Sequence, residues 1–382
     1  MTDIAMDVPK NDAQSQQENK VFVASQTTLI WWRFRKHRLA VISGIIILFI
    51  YFVALFADFF APAMPGVSSA SHQFAPPTPL RLLYTDAEGV TRLQLHVPAL
   101  ESTVNPESLR REYVFSETEI VPVGFFVRGE PYKLWNIFES DLHFIGPLEA
   151  GEPMYLLGAD RLGRDVFSRM IHGARLSLSI GLVGVTISLF LGILLGGLSG
   201  YYGGVIDNVI QRLIEFIMSL PSIPLWLGLA AALPPTWSVI QVYFFITIIL
   251  SLRGWTGLAR VVRGRFLSLR SQDFVLAARL DGSRQMRIIW LHMVPSFLSY
   301  IIARMTLAIP AMILAETALS FLGLGLRSPA VSWGVLLQEA QNVRSVLTAP
   351  WLLTPAIAVI VVIMAFNFLG DGLRDAADPY SR

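Results

Sequence analysis

The stretch DFVLAARLDGSRQMRIIWLHMVPS, residues 273–296, is a polar, arginine-rich interruption between two long apolar runs, 239–258 and 297–314. Its local chemistry is that of a folded loop. Ser271 is placed to cap a helix, and Asp273 puts a carboxylate in the favourable first turn. Phe274, Ala277 and Ala278 stand at i, i+3 and i+4, so a helix sets them on one face. Gly282 suits the left-handed residue that ends a helix, and Ser283 is placed to cap a second one running through Trp290. Pro295 marks the return to apolar sequence. Small alanines permit close approach of another surface, and Phe274 is an aromatic of the kind enriched at interfaces. A helix–turn–helix built to meet something outside the bilayer is one reading. An amphipathic helix lying on the membrane, its arginines facing anionic lipid, is the other.

That the neighbours are membrane spans follows from composition. The chain is 53% hydrophobic and only 15% charged, whereas soluble domains carry about 25% charged residues. A net charge of +2 gives no reason to expect nucleic acid. With no cysteine, disulfides and thiolate metal sites are excluded. The few lysines, Lys10, Lys20, Lys36 and Lys133, follow no glycine-rich phosphate loop, so any ATP is expected on another polypeptide. Residues 1–26 are polar and lack the apolar core of a signal peptide.

A bilayer core of about 30 Å needs roughly 20 helical residues, which sets the spans. Residues 38–61 form the first, behind Arg33, Arg35, Lys36 and Arg38, a basic cluster that stays cytoplasmic. Five more spans are expected over 176–202, 209–233 (ended by Pro234 and Pro235), 239–258, 297–314 and 350–369. Residues 62–173 are hydrophilic and Pro-rich near 74–80. Leu93, Leu95 and Val97 alternate with polar residues after a turn at 86–89, and 113–127 is β-branched and aromatic in patches, so this external insertion is expected to contain β-structure. The divisions are then a cytoplasmic tail 1–37, span 38–61, insertion 62–173, membrane core 174–371 with its polar loop 271–295, and tail 372–382. Arg253, Arg260, Arg263, Arg265, Arg270, Arg279, Arg284 and Arg287 face only Asp273 and Asp281 in the loop region. The positive-inside rule and an even span count both make this loop and the two termini cytoplasmic.

The loop resembles the EAA loop of bacterial ABC importer permeases, whose pattern is EAA, three residues, Gly, nine residues, then Ile-x-Leu-Pro. Ala277, Ala278, Gly282 and Pro295 hold that spacing, while Leu276 replaces the Glu, His292 the Ile and Val294 the Leu. LLGADRLGRDVFSRMIHGARLSL at 156–178, GYYGG with Asp207 and Arg212, AETALSFLGLGL and the final RDAADP are similar to the dipeptide and oligopeptide permease C subunits. The resemblance runs from Leu156 to Pro379 and includes the first span, but not the long insertion. It implies an all-α polytopic membrane protein with the six helices of the type I ABC importer permease fold and a small β-containing insertion between helices 1 and 2. It also implies a bacterial inner-membrane location and half of a pathway for peptides or similarly sized solutes such as oligosaccharides or opines. The implied partners are a second homologous permease, two ATPase subunits and an external solute-binding protein. No cofactor is expected on this chain; ATP belongs to the partner subunits. Phe274, Ala277, Ala278, Arg279, Gly282 and Pro295 are the implied ATPase-coupling residues.

Other charged positions have two readings each. Arg164, Asp165 and Arg169 form either a surface helix pair at i, i+4 or part of the outer mouth beside the second permease. Arg212 and Glu215, three apart, are expected to neutralise each other. Arg304 sits about 10 Å into its span at 1.5 Å per residue, where it either snorkels to the interface or faces the pathway. Glu316 is expected near the outer surface, at a gate or among headgroups. An ion-coupled transporter or channel would need intramembrane carboxylate sites or inverted repeats. A membrane enzyme would need clustered catalytic groups in 62–173, where Glu and Arg are scattered.

Overall fold

A short helix α1 (Gln26–Lys36) turns at His37, whose Nδ1 accepts the Ala40 N–H at 3.2 Å, into α2 (Arg38–Leu55). The computed structural model describes residues 26–85, 91–104, 106–107, 111–149 and 151–377. The expected turn at 86–89, most of the 1–37 tail and the end of the RDAADP stretch lie outside the described residues. Beyond Arg38 helix α2 carries no charge, and after a break at Phe56 the chain adds one turn, α3 (Ala57–Phe60).

The insertion is a single antiparallel arrangement in sequence order: β1 (Arg81–Thr85), β2 (Thr91–Val104), β3 (Arg111–Leu134) and β4 (Phe138–Pro147). β3 serves two partners in turn. Its first half pairs with β2, from Val104↔Arg111 to His96↔Pro122, and its second half pairs with β4, from Val123↔Pro147 to Leu134↔Phe138. Leu95 and Val97 pack inward with Val121, Val123 and Met154. Leu93, expected on the same face, is 81% exposed; the bulge between Arg81 and Leu83 shifts the β1–β2 register there.

Asp165 then starts α4 (Val166–Tyr202), accepting the N–H groups of Phe167 and Ser168. The helix therefore begins ten residues before the expected span. Gly203 and Gly204, at φ 68° and 58°, take the chain into α5 (Gly204–Ser219). The expected span over 209–233 is broken into two helices. After α5 the chain breaks at Leu220 and Pro221 and turns by 86° into α6 (Ser222–Ala231). Pro221 and Pro224 lack the N–H groups that would donate to the carbonyls of Ile217 and Leu220, and the Arg253 guanidinium donates to both, at 3.5 Å and 2.6 Å.

α7 (Val239–Leu269) opens with a Ser238–Gln241 capping box and runs eleven residues past the expected end at Leu258. It lies along α4 at close range. A Cβ on Gly196 would sit 2.5 Å from the Ala259 carbonyl oxygen, and one on Gly200 would sit 2.7 Å from that of Arg263. Glycines four apart thus let two backbones touch. The polar loop follows as α8 (Asp273–Leu280), α9 (Gln285–Arg287), a π turn (Ile288–Met293) and a 3-10 turn (Val294–Phe297). α10 (Leu298–Phe321), with Pro310 inside it, leads to α11 (Trp333–Gln338), α12 (Val343–Thr348) and α13 (Thr354–Ala377). Among the described residues five helical segments are long and apolar enough to cross a membrane, or six if the bent α5–α6 pair is one crossing.

Candidate functional site

The polar loop closes the end of the α4–α7 pair. Val275 and Ala278 of α8 face inward and pack with Phe266 of α7 and with Ile288, Ile289 and Met293 of the return segment. Ala278 is therefore not on the outer face with Phe274, as its spacing suggested. Phe274, Ala277 and Leu280 form that outer face, with Leu280 90% exposed. The apolar stripe that faces out is unpartnered within this chain.

The turn is set by hydrogen bonds. Gly282 lies at φ 74°, its N–H donates to the Arg279 carbonyl at 3.1 Å, and Ser283 N–H donates to Ala278 at 3.1 Å. These two bonds are the Schellman motif. A Cβ at Gly282 would meet nothing within 4 Å, so glycine is required by backbone conformation alone. The capping residues differ from the sequence reading. Gln272 precedes α8 without a side-chain cap bond, Ser271 donates to the Ser268 carbonyl, and Arg284, not Ser283, precedes α9. Pro295 is exposed in the 3-10 turn that leads into α10.

Arg279 ties the loop to the membrane core. Its guanidinium lies 4.8 Å from the centroid of the Tyr201 ring, and its Nε donates to the Tyr201 hydroxyl at 3.1 Å. Tyr201 belongs to the GYYGG run, which the sequence presented only as a turn. Beside it, Asp207 accepts a two-pronged pair from Arg263 at 2.6 Å and 2.6 Å and a bond from Ser199. Asp207 thus joins α5 to α7, while Arg212 pairs with Glu215 at 2.9 Å on the exposed face, as expected.

At the opposite end, Asp165 and Arg169 do not pair with each other. Asp165 is consumed by capping, and burial pushes its carboxyl up to about 6. Arg169, 2% exposed, binds Asp160 and approaches Glu339 at 3.6 Å. Arg164 bridges the same two carboxylates at 2.7 Å and 3.0 Å. Burial, with Asp160 nearby, pushes the Glu339 carboxyl above its ordinary value. This network pins the start of α4 to the segment after α11.

Glu316 is fully buried rather than exposed to headgroups. It accepts hydroxyls from Ser320 (2.8 Å), Ser332 (2.8 Å) and Ser177 (3.2 Å), joining α10, α4 and the approach to α11. Arg304 is exposed and borders a cavity of about 60 Å³ with Val185, Ser188, Gly254 and Leu258. Its guanidinium lies 4.0 Å from where a Cβ of Gly257 would be.

Fold and site together define a polytopic helical membrane protein with a folded polar loop at one end of its core. Residues 189–382 match the family model of the binding-protein-dependent transport system inner membrane component, and residues 25–77 match that of the N-terminal TM domain of oligopeptide transport permease C. The chain is 40% identical over 227 residues to the dipeptide transport system permease protein DppC of Bacillus subtilis, covering 59% of this chain and 68% of that one. It is 38% identical over 299 residues to the oligopeptide transport system permease protein OppC of Haemophilus influenzae, covering 78% and 94%. A solved inward-facing MetNI methionine ABC transporter chain aligns at 17% identity over 55% of this chain and 97% of its own, with a TM-score of 0.42. The chain belongs to the binding-protein-dependent ABC importer permeases, in the dipeptide and oligopeptide transport family.

Proposed function

We propose that this chain is one of two homologous permease subunits of an inner-membrane importer, with 271–295 docking on a separate ATPase. The observation that carries this reading is the outward apolar stripe Phe274–Ala277–Leu280 on a helix whose other face is locked into the core through Val275 and Ala278. Such a helix presents a rigid apolar contact and transmits displacement to α4 and α7. Arg279 and Gly282 hold the loop's shape, and Pro295 sets its return. ATP on the two ATPase subunits supplies the closure that draws the paired loops together. The chain's own part is to convert that approach into rocking of the spans, a population shift driven by differential binding. An external binding protein delivers the solute, a peptide or a similarly sized oligosaccharide or opine. Both termini and the loop lie in the cytoplasm.

Arg304, over Gly257 beside a small cavity between helices, is the pathway residue of this reading and suits a solute carboxylate. Glu316 is satisfied by three serines, which supports a structural role for it rather than solute contact. The test is a pull-down of the tagged chain from solubilised native membranes alongside Gly282→Pro, which cannot adopt φ 74°. The expected result is ATPase subunits and a second permease with the native chain, with the ATPases lost from the variant. Recovery of the chain alone, or only with copies of itself, would overturn the proposal.

A further inference from the structure

The tip of the β3–β4 hairpin carries an exposed surface of Trp135, Ile137 and Phe138. Its turn residues Trp135 and Asn136 lie at φ 52° and 59°, and Ile137 N–H donates to the Leu134 carbonyl at 3.0 Å. Asparagine is at home in such a turn, whereas an indole there works against its own Cβ. Contacts hold it in place. Trp135 Nε1 donates to the carbonyl of Leu55, the last residue of α2, at 2.9 Å, and its ring lies 5.4 Å from that of Phe56.

The rest of the hairpin follows the chain from α3 down to α2. The buried His143 faces the Ala61 carbonyl through Nδ1 at 2.7 Å, and the Phe144 ring lies tilted against those of Phe60 and Phe59 at centroid distances of 5.4 Å and 6.0 Å. The tip therefore descends from Ala61 to the level of Leu55. The eighteen residues Arg38–Leu55 rise about 27 Å, close to the roughly 30 Å of a hydrocarbon core. Leu55, and Trp135 with it, is thus at the outer boundary of that core. There Ile137 is 71% exposed and Phe138 59%, in line with the exposed Phe52 and Leu48 of α2.

We propose that the β3–β4 tip is a membrane anchor that seats Trp135, Ile137 and Phe138 in the outer-leaflet interface. The partner is lipid because the surface continues the apolar face of a membrane span, at the depth where tryptophan is enriched. Lys133 and Glu139, paired with each other at 2.8 Å, stand one pair above the Leu134↔Phe138 closure. The anchor fixes the insertion at two points, its covalent link to α3 and its hairpin tip, and so sets the tilt of the sheet over the membrane.

The absence of cysteine makes the test direct. A nitroxide is attached to Ile137→Cys in the full chain, purified with its accompanying subunits into nanodiscs of phosphatidylcholine and phosphatidylglycerol. Leu48→Cys serves as the lipid-facing reference and Val104→Cys, at the far end of β2, as the strand reference. Power saturation then compares collisions with oxygen, which partitions into lipid, and with a water-soluble nickel complex. The expected result at Ile137 is a preference for oxygen, as at Leu48 and several-fold above Val104. A preference for nickel places the tip in water and overturns the proposal. Protection from both reagents means another protein chain covers the tip, and overturns it equally.

Discussion

Replacing Tyr201 with Phe deletes one hydroxyl and leaves the ring under Arg279. The lost contact is the 3.1 Å bond from Arg279 Nε. A bond from a charged donor is worth about 1.5–3 kcal/mol when buried, but Arg279 is exposed, so roughly 1 kcal/mol is the reasonable figure. Helix α8 has eight residues, too few to persist without its tertiary contacts. Loosening this tie should therefore raise the open population of the loop about fivefold. Tyr201→Ala removes the ring as well, and with it the cation–π contact and a 7% exposed side chain, for roughly 3–5 kcal/mol. Hydrogen exchange on the complex in nanodiscs reads the effect. Amides in 273–283 should exchange about fivefold faster in Tyr201→Phe, while those of α13 stay unchanged. Arg279→Ala, which loses the cation–π contact as well, should exchange at least as fast, and adding Tyr201→Phe to it should change little. Equal exchange in Tyr201→Phe and the native chain, or simple additivity with Arg279→Ala, would refute the tie.

Three further outcomes follow from the geometry. Asp165 rises from 3.8 to about 6 on burial, so the folded state holds that proton more tightly; the stabilisation is complete below about 4 and lost as pH rises through 6. Asp165→Asn should then gain up to about 3 kcal/mol at pH 7.5 and nothing at pH 4, measured by thermal unfolding in detergent. Gly196→Val drives a Cβ to 2.5 Å from a backbone oxygen on α7 and should cost at least about 3 kcal/mol, whereas Gly228→Ala, with open space around it, should not. In a reconstituted uptake assay Arg304→Gln should weaken apparent affinity for a carboxylate-bearing solute about tenfold. Glu316→Gln should leave that affinity intact, while Glu316→Ala, which strands three hydroxyls, should lower the melting temperature.

The sequence discloses those features that are local and fails where partners are distant. Gly282 was legible because a Schellman turn is made within a few residues. The spans at 38–61 and 239–258 were legible because length and a low density of charge suffice. Asp165 and Arg169 misled because i, i+4 spacing cannot reveal that one is a cap and that the other's partners are Asp160 and, far along the chain, Glu339. The surroundings of Glu316 were hidden for a related reason: its position along α10 gave its depth but not the three serines around it. Proline was ambiguous in principle. Pro221 ends α5, while Pro310 rides inside α10 without ending it. Tyr201 is the loop contact that the sequence did not disclose, although an aromatic just before a paired glycine turn was a usable signal.

Arg253 gives the break at Pro221 a mechanical meaning. The guanidinium that closes off the end of α5 is borne by the helix that runs straight into the polar loop. The residue that secures the break and the segment that leads to the loop thus share one helix. Sliding α7 by a single turn, about 5.4 Å, would carry Arg253 clear of Leu220 and leave the elbow between α5 and α6 free to swing.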